Sequence, residues 1–271
     1  MATVVLPTWT YQQFDADLTA EVPGEGYGGW QRQDLPLALD RTALVVMHAW
    51  DAGTPEKFPG WFRAVEYLPR SYEIAETVLP PVLAAVRRIG MPLVHVVAGV
   101  DYWSGQPGFL GGTPDQPPVS DARAVSDPVH DQLRAHRTAA VFPGQHNRAD
   151  IAAGQSQMGF HPSVVPVGDE PVAATSSDLI GWCSRNGVNH LIYTGFAING
   201  CLWTSPGGMV DLSRQGYLCS TLRQATTAIE NGESARTQAH KEYAMWAVAL
   251  FHGFVYDTDD FTAALADVTS A

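Results

Sequence analysis

Apolar residues cluster along this chain in short unbroken runs. TALVVM (42–47), PLVHVV (92–97) and LIYTGF (191–196) are each bounded by charged or turn-forming residues. A strand buried on both faces reads as such a run, whereas a half-exposed strand alternates apolar with polar. Between the runs the spacing changes. Ile74, Val78, Val82, Val86 and Ile89 recur every third or fourth residue, as do Ala239, Tyr243, Trp246, Ala247 and Leu250 within 233–251. That is helical spacing, and strands alternating with helices predict an α/β domain built on a parallel sheet. Pro80 and Pro81 must kink the 71–89 helix or start a second one. Further strands are expected within 217–221 and in the GFVYDTDDF tail, which should end in an acidic turn. A helix at 177–186 has Ser177 or Asp178 as its cap and Gly187 as its stop, and another is expected at 202–214. Cys183, Cys219 and His95 lie on these elements and read as core.

Two stretches break the pattern. Residues 1–40 are rich in Gly, Pro, Trp and Tyr without a sustained period, and are expected to form an irregular arm ahead of a domain spanning 41–271. Residues 101–148 contain DYWSGQPGFLGGTPDQPP, and a long loop of this kind in a compact domain is often a lid or binding loop. A short helix is expected within 123–137.

Composition narrows the functions available. The net charge is −12, with 16 Lys plus Arg and no basic run, which argues against nucleic-acid or anionic-membrane partners. Three cysteines without a CxxC pair argue against a disulfide framework and fit a reducing cytoplasm. The N-terminal MATVVLPTWTYQQFDAD lacks a basic region and a long apolar core, and no segment reaches about 18 apolar residues, so neither a signal peptide nor a membrane span is expected. Neither a P-loop nor G-x-G-x-x-G nor G-x-S-x-G occurs, which removes the usual warrants for a nucleotide cofactor or a serine nucleophile. The nine histidines show no metal-ligand spacing, so no metal and no cofactor are assigned.

The chemistry gathers in NHLIYTGFAINGCLWTSPGG (189–208). An apolar strand ends at Gly195, the chain turns, and Cys201 stands where a new helix starts. Ligands bind at the carboxyl ends of parallel strands, and a helix N-terminus there offers free N–H groups that favour a thiolate. Local sequence leaves two readings of Cys201 open, a nucleophile and a buried packing residue.

GFAINGC, followed by LSRQGY and LRQATTAIE, resembles the signature of the isochorismatase-like cysteine hydrolases, which include amidases and isochorismatases. The likeness runs from about Arg41 to the C-terminus and is specific around Cys201. It implies a three-layer sandwich, with helices on both sides of a mostly parallel sheet of about six strands. It also implies Cys201 as nucleophile, a cis Phe196–Ala197 bond, and an oxyanion hole made by the amides of Ala197 and Cys201. Homo-oligomers are common in that family.

This sequence departs from the family pattern at several positions, Gln224 among them where relatives often carry Asp, and two departures fall in the expected site. Where the family's first strand supplies an aspartate base, alignment on Trp50 and Asp51 places His48. Imidazole is a competent base toward a thiol, and Asp51 is a candidate to orient it. A cationic His48 would also lower the thiol pKa unaided. The family's lysine falls near Ala174, and the chain holds only Lys57 and Lys241. Trp50, Trp61, Phe196 and Asn199 are candidate substrate-binding residues; Trp61, Phe62 and Tyr67 read as a subunit interface or, second to that, as the pocket mouth. The expected activity is cofactor-independent cleavage of an amide or ureide C–N bond of a small molecule through a cysteine thioester. The alternatives are a non-catalytic relative that keeps the fold for ligand binding or assembly, and a vinyl-ether hydrolase of isochorismatase type.

Overall fold

The computed structural model describes residues 2–111 and 125–268. Eight strands form the main sheet: β1 (Thr3–Gln12), β2 (Gly29–Ala38), β3 (Thr42–Met47), β5 (Leu93–Val96), β7 (Val172–Ala173), β8 (His190–Gly195), β9 (Leu218–Thr226) and β10 (Val255–Tyr256). Their order is β2-β1-β10-β9-β8-β3-β5-β7. From β10 to β7 every pairing is parallel, which makes six parallel strands, while β1 and β2 add an antiparallel ribbon at one side. A separate two-stranded pair joins β4 (Trp50–Asp51) to β6 (Gly159–Phe160).

Residues 1–40 are therefore not an irregular arm. The ten-residue pairing of β1 with β2 runs from Thr3–Ala38 to Gln12–Gly29, and Trp9 pairs with Val255 of β10. Leu6 and Leu37 are buried with the main core.

All six residues of β3 and all six of β8 are buried, as expected of strands covered on both faces. Because side chains alternate across a strand, β3 feeds two cores. Ala43, Val45 and Met47 pack with α6 (Ser176–Asn186), α8 (Met209–Arg214) and α9 (Ala239–Phe251) through Leu179, Met209 and Met245. Leu44 and Val46 pack on the other side with α3 (Leu79–Ile89) and α10 (Thr258–Ala266), through Leu83 and Phe261. The result is the expected three-layer sandwich.

Local signals explain several boundaries. Thr175 and Asp178 make a reciprocal capping box at the start of α6, and Gly187 ends it in the left-handed conformation. The predicted 71–89 helix is three pieces: α2 (Leu68–Glu73), a π-helical turn (Ile74–Val78) and α3, with prolines in the first turn of α3. The predicted 202–214 helix breaks in two. α7 (Cys201–Thr204) is a single turn, and Ser205 to Gly208 separate it from α8. Three further helices lie around the loops: α1 (Pro59–Ala64), α4 (Pro128–Ala140) and α5 (Arg148–Gln155). Cys183 and Cys219 are buried, and burial pushes both thiols up to about 12, so they pack as core.

Candidate active site

Sequence order places the site. From β3 the chain adds β5 and then β7 on one side; it then returns to lay β8, β9 and β10 on the other. The strand order thus reverses between β3 and β8, and the crevice beyond the carboxyl ends of such a pair is the ligand-binding position of open α/β sheets. Met47 pairs with Gly195, so the two strands end level, and the Phe196 amide donates to the Met47 carbonyl at 3.2 Å. Gly195 has φ 116°, and a β-carbon there would collide with the Met47 carbonyl, so only glycine permits this approach.

The chain beyond each end carries a candidate group. After β3, His48 takes φ 54°, a left-handed conformation that side chains rarely adopt and that turns the ring out of the sheet. The ring is 2% exposed, stacks on Trp50 at 4.7 Å between centroids and 15° between planes, and has no hydrogen-bond partner at either nitrogen among the described residues. Burial lowers its pKa from 6.5 to about 4, so the imidazole is neutral near pH 7. A cationic His48, which would have lowered the thiol pKa, is thus disfavoured by burial.

After β8, the Phe196–Ala197 bond is cis. Cys201 follows as the first residue of α7 and is partly exposed, whereas Cys183 and Cys219 are sealed. The Ala197 carbonyl accepts from the amides of Gly200 and Leu202, both at 3.1 Å, which closes the turn. Among the described residues the amides of Ala197 and Cys201 donate to no acceptor.

His48 and Cys201 line one pocket of about 280 Å³. Trp50, Trp61 and Phe196 are on its wall, together with Val65, Tyr67 and Phe142. Burial, then the neighbouring Cys201 and Glu66, raise the Tyr67 phenol pKa, so it stays a neutral hydroxyl. Phe62 instead faces a smaller hollow beside Tyr72.

Two candidates are elsewhere. Asp51 does not meet His48: its Oδ1 accepts from the Tyr72 hydroxyl at 2.6 Å and from the Gly53 amide at 2.9 Å. The β4–β6 pairing holds it there, and its charge acts on His161. Asn199 does not line the pocket. Its amide group donates to the Ile229 carbonyl at 2.9 Å and accepts from the Ile229 amide at 2.8 Å, fixing a residue that does line it. Sequence reasoning missed Ile229, Phe142 and Ile151 as wall residues. They come from segments far apart in the chain, and no local motif marks them.

Among the described residues no lysine or arginine stands on this wall. Among the described residues no three His, Cys, Asp or Glu side chains group as a metal site, and no helix is long and apolar enough to cross a membrane.

The sequence matches no protein-family model and no curated protein. Solved structures are similar to it. A cysteine hydrolase from Pseudomonas syringae pv. phaseolicola 1448A is similar with a TM-score of 0.52 at 14% identity, covering 85% of this chain and 94% of that one. A putative hydrolase of the isochorismatase family from Chromobacterium violaceum ATCC 12472 has a TM-score of 0.49 at 15% identity, over 86% and 97% of the two chains. For an isochorismatase-like hydrolase from Alkaliphilus metalliredigens the TM-score is 0.47 at 17% identity, over 83% and 98%. The first of these likenesses establishes a common fold.

Proposed function

We propose that this protein is a cofactor-independent cysteine hydrolase that cleaves an amide or ureide C–N bond of a small molecule through a thioester on Cys201. One observation carries the reading. A partly exposed thiol at a helix start and an imidazole without a hydrogen-bond partner among the described residues line one pocket at the strand-order reversal, and the chain turns through a cis bond just before the thiol.

In the first half-reaction His48 takes the Cys201 proton as sulfur attacks the carbonyl carbon. The oxyanion is held by the amides of Ala197 and Cys201. Collapse breaks the C–N bond, and the amine leaves with the proton from His48. In the second, water gives a proton to His48 and attacks the thioester, releasing the carboxylic acid and the thiol. Burial disfavours the imidazolium, which opposes uptake of the sulfur proton and favours its return to the leaving amine. Loss of one oxyanion donor costs about 3 kcal/mol in sites of this kind, so the 196–201 turn should matter as much as the thiol.

Cys201→Ala and His48→Ala are each expected to abolish turnover across a panel of amides, ureides and esters, while circular dichroism and the melting transition show a folded protein. Turnover retained by either variant refutes the role given to that residue. Full activity in Cys201→Ala would favour the vinyl-ether chemistry instead. Alkylation of Cys201 no faster than that of Cys183 or Cys219 would favour a non-catalytic binding protein.

A further inference from the structure

The pocket holding Cys201 opens beside a second lobe of about 320 Å³, and Val65, Tyr67, Phe142 and Ile229 line both. Among the described residues, no lysine or arginine lines either lobe. The carboxylates present, Glu66 and Glu230, are in the second lobe, and each already has partners. Glu66 receives both Arg70 guanidinium nitrogens at 2.8 and 2.9 Å. Glu230 accepts from the His240 and Lys241 amides, at 3.1 and 3.0 Å, in the first turn of α9. In the inner lobe Gln155 and Ser71 carry no charge, burial keeps His48 neutral near pH 7, and Ser71 is turned to the Leu68 carbonyl. Trp50, Trp61 and Phe196 supply broad apolar surfaces around Cys201 and His48.

A ligand carboxylate entering this space would lose its hydration and find no cation among the described lining residues, next to two carboxylates of its own sign, one of which already holds Arg70. An unpaired charge in such surroundings is strongly disfavoured, whereas an apolar group gains by leaving water. We propose that the two lobes form one site for an uncharged carbonyl compound whose acyl part is aromatic or branched alkyl, and that the site rejects analogues bearing a carboxylate. The inner lobe takes the acyl part between Trp50, Trp61 and Phe196, and the second lobe takes the remainder. This deepens the hydrolase reading and relies on it for the position of the carbonyl.

Binding is measured by isothermal calorimetry on the full-length Cys201→Ala protein, so no turnover is needed. The probes are phenylacetamide and its carboxylate counterpart, 4-(carbamoylmethyl)benzoate. Phenylacetamide is expected to bind about tenfold or more tightly. Adding Ile229→Arg, at a half-exposed position on the wall shared by both lobes, is expected to tighten the carboxylate probe. The proposal is overturned if the carboxylate binds as well as the amide, if phenylacetamide does not bind, or if Ile229→Arg leaves the preference unmoved. Wild-type turnover of the same probes separates the two readings. Amide that binds but is not hydrolysed sinks the hydrolase reading alone, and hydrolysis confined to the carboxylate probe sinks the charge selectivity alone.

Discussion

At the scale of single residues, His48 is the most unusual side chain: buried, left-handed in backbone, stacked on Trp50 and without a hydrogen bond. In the proposed reaction its neutral form is the base, and burial lowers its pKa to about 4. Activity should therefore persist as pH falls through 6.5 and fail only near pH 4, because protonation removes the base. A kcat/KM profile with an acid midpoint near 6.5 would show that His48 is not the group being titrated. Part of this was legible beforehand. The Gly195 turn, Cys201 and His48 stand next to apolar runs whose ends are readable. Asp51 and Asn199 were misread because spacing along the chain does not fix direction. A two-strand pairing holds Asp51 toward Tyr72, and Asn199 binds the backbone of a residue thirty positions away.

Among the elements, the parallel strands were visible because burial on both faces leaves an unbroken apolar run, as in β3 and β8. The β1–β2 ribbon was not. Its inward positions include Thr8, which is fully buried, and Pro7 and Pro36 interrupt the strands, so neither alternation nor composition reads as strand. The ribbon nevertheless contributes Leu6 and Leu37 to the core beside α10. Deleting residues 2–38 should therefore yield insoluble or molten protein, judged by soluble expression and by loss of a cooperative melt. A well-folded truncated protein would return the segment to the status of an arm. Helix α10 was also unread: TDDFTAALA starts with acidic residues, which favour a helix N-terminus as readily as a turn.

For the whole molecule, buried histidines set the response to acid. Burial lowers the pKa of His48 and His190 to about 4, and those of His95, His161 and His252 also fall. An unfolded imidazole takes up its proton near pH 6.5, while the folded His48 and His190 resist until about 4. The unfolded state thus binds more protons across that window, and stability declines as pH falls through it. Each of these two contributes a loss on the order of 3 kcal/mol. Glu170 adds a later decline. Burial alone would raise its pKa, but hydrogen bonds from His95 and Arg87 bring it to about 2, so its stabilisation is present above 4.5 and fades toward 2. Urea midpoints at pH 7.5, 6 and 5 should fall in that order, and an unchanged midpoint would contradict this account.

The margins of the sheet bear on how the molecule behaves in a crowd. β7, at one margin, is two residues long, and β2, at the other, exposes Arg32, Gln33, Asp34 and Pro36. A short margin offers little backbone to an incoming chain, and charges with a proline spoil the longer one as a template. Six apolar parallel strands are thereby kept from recruiting neighbours into fibrous or amorphous aggregates.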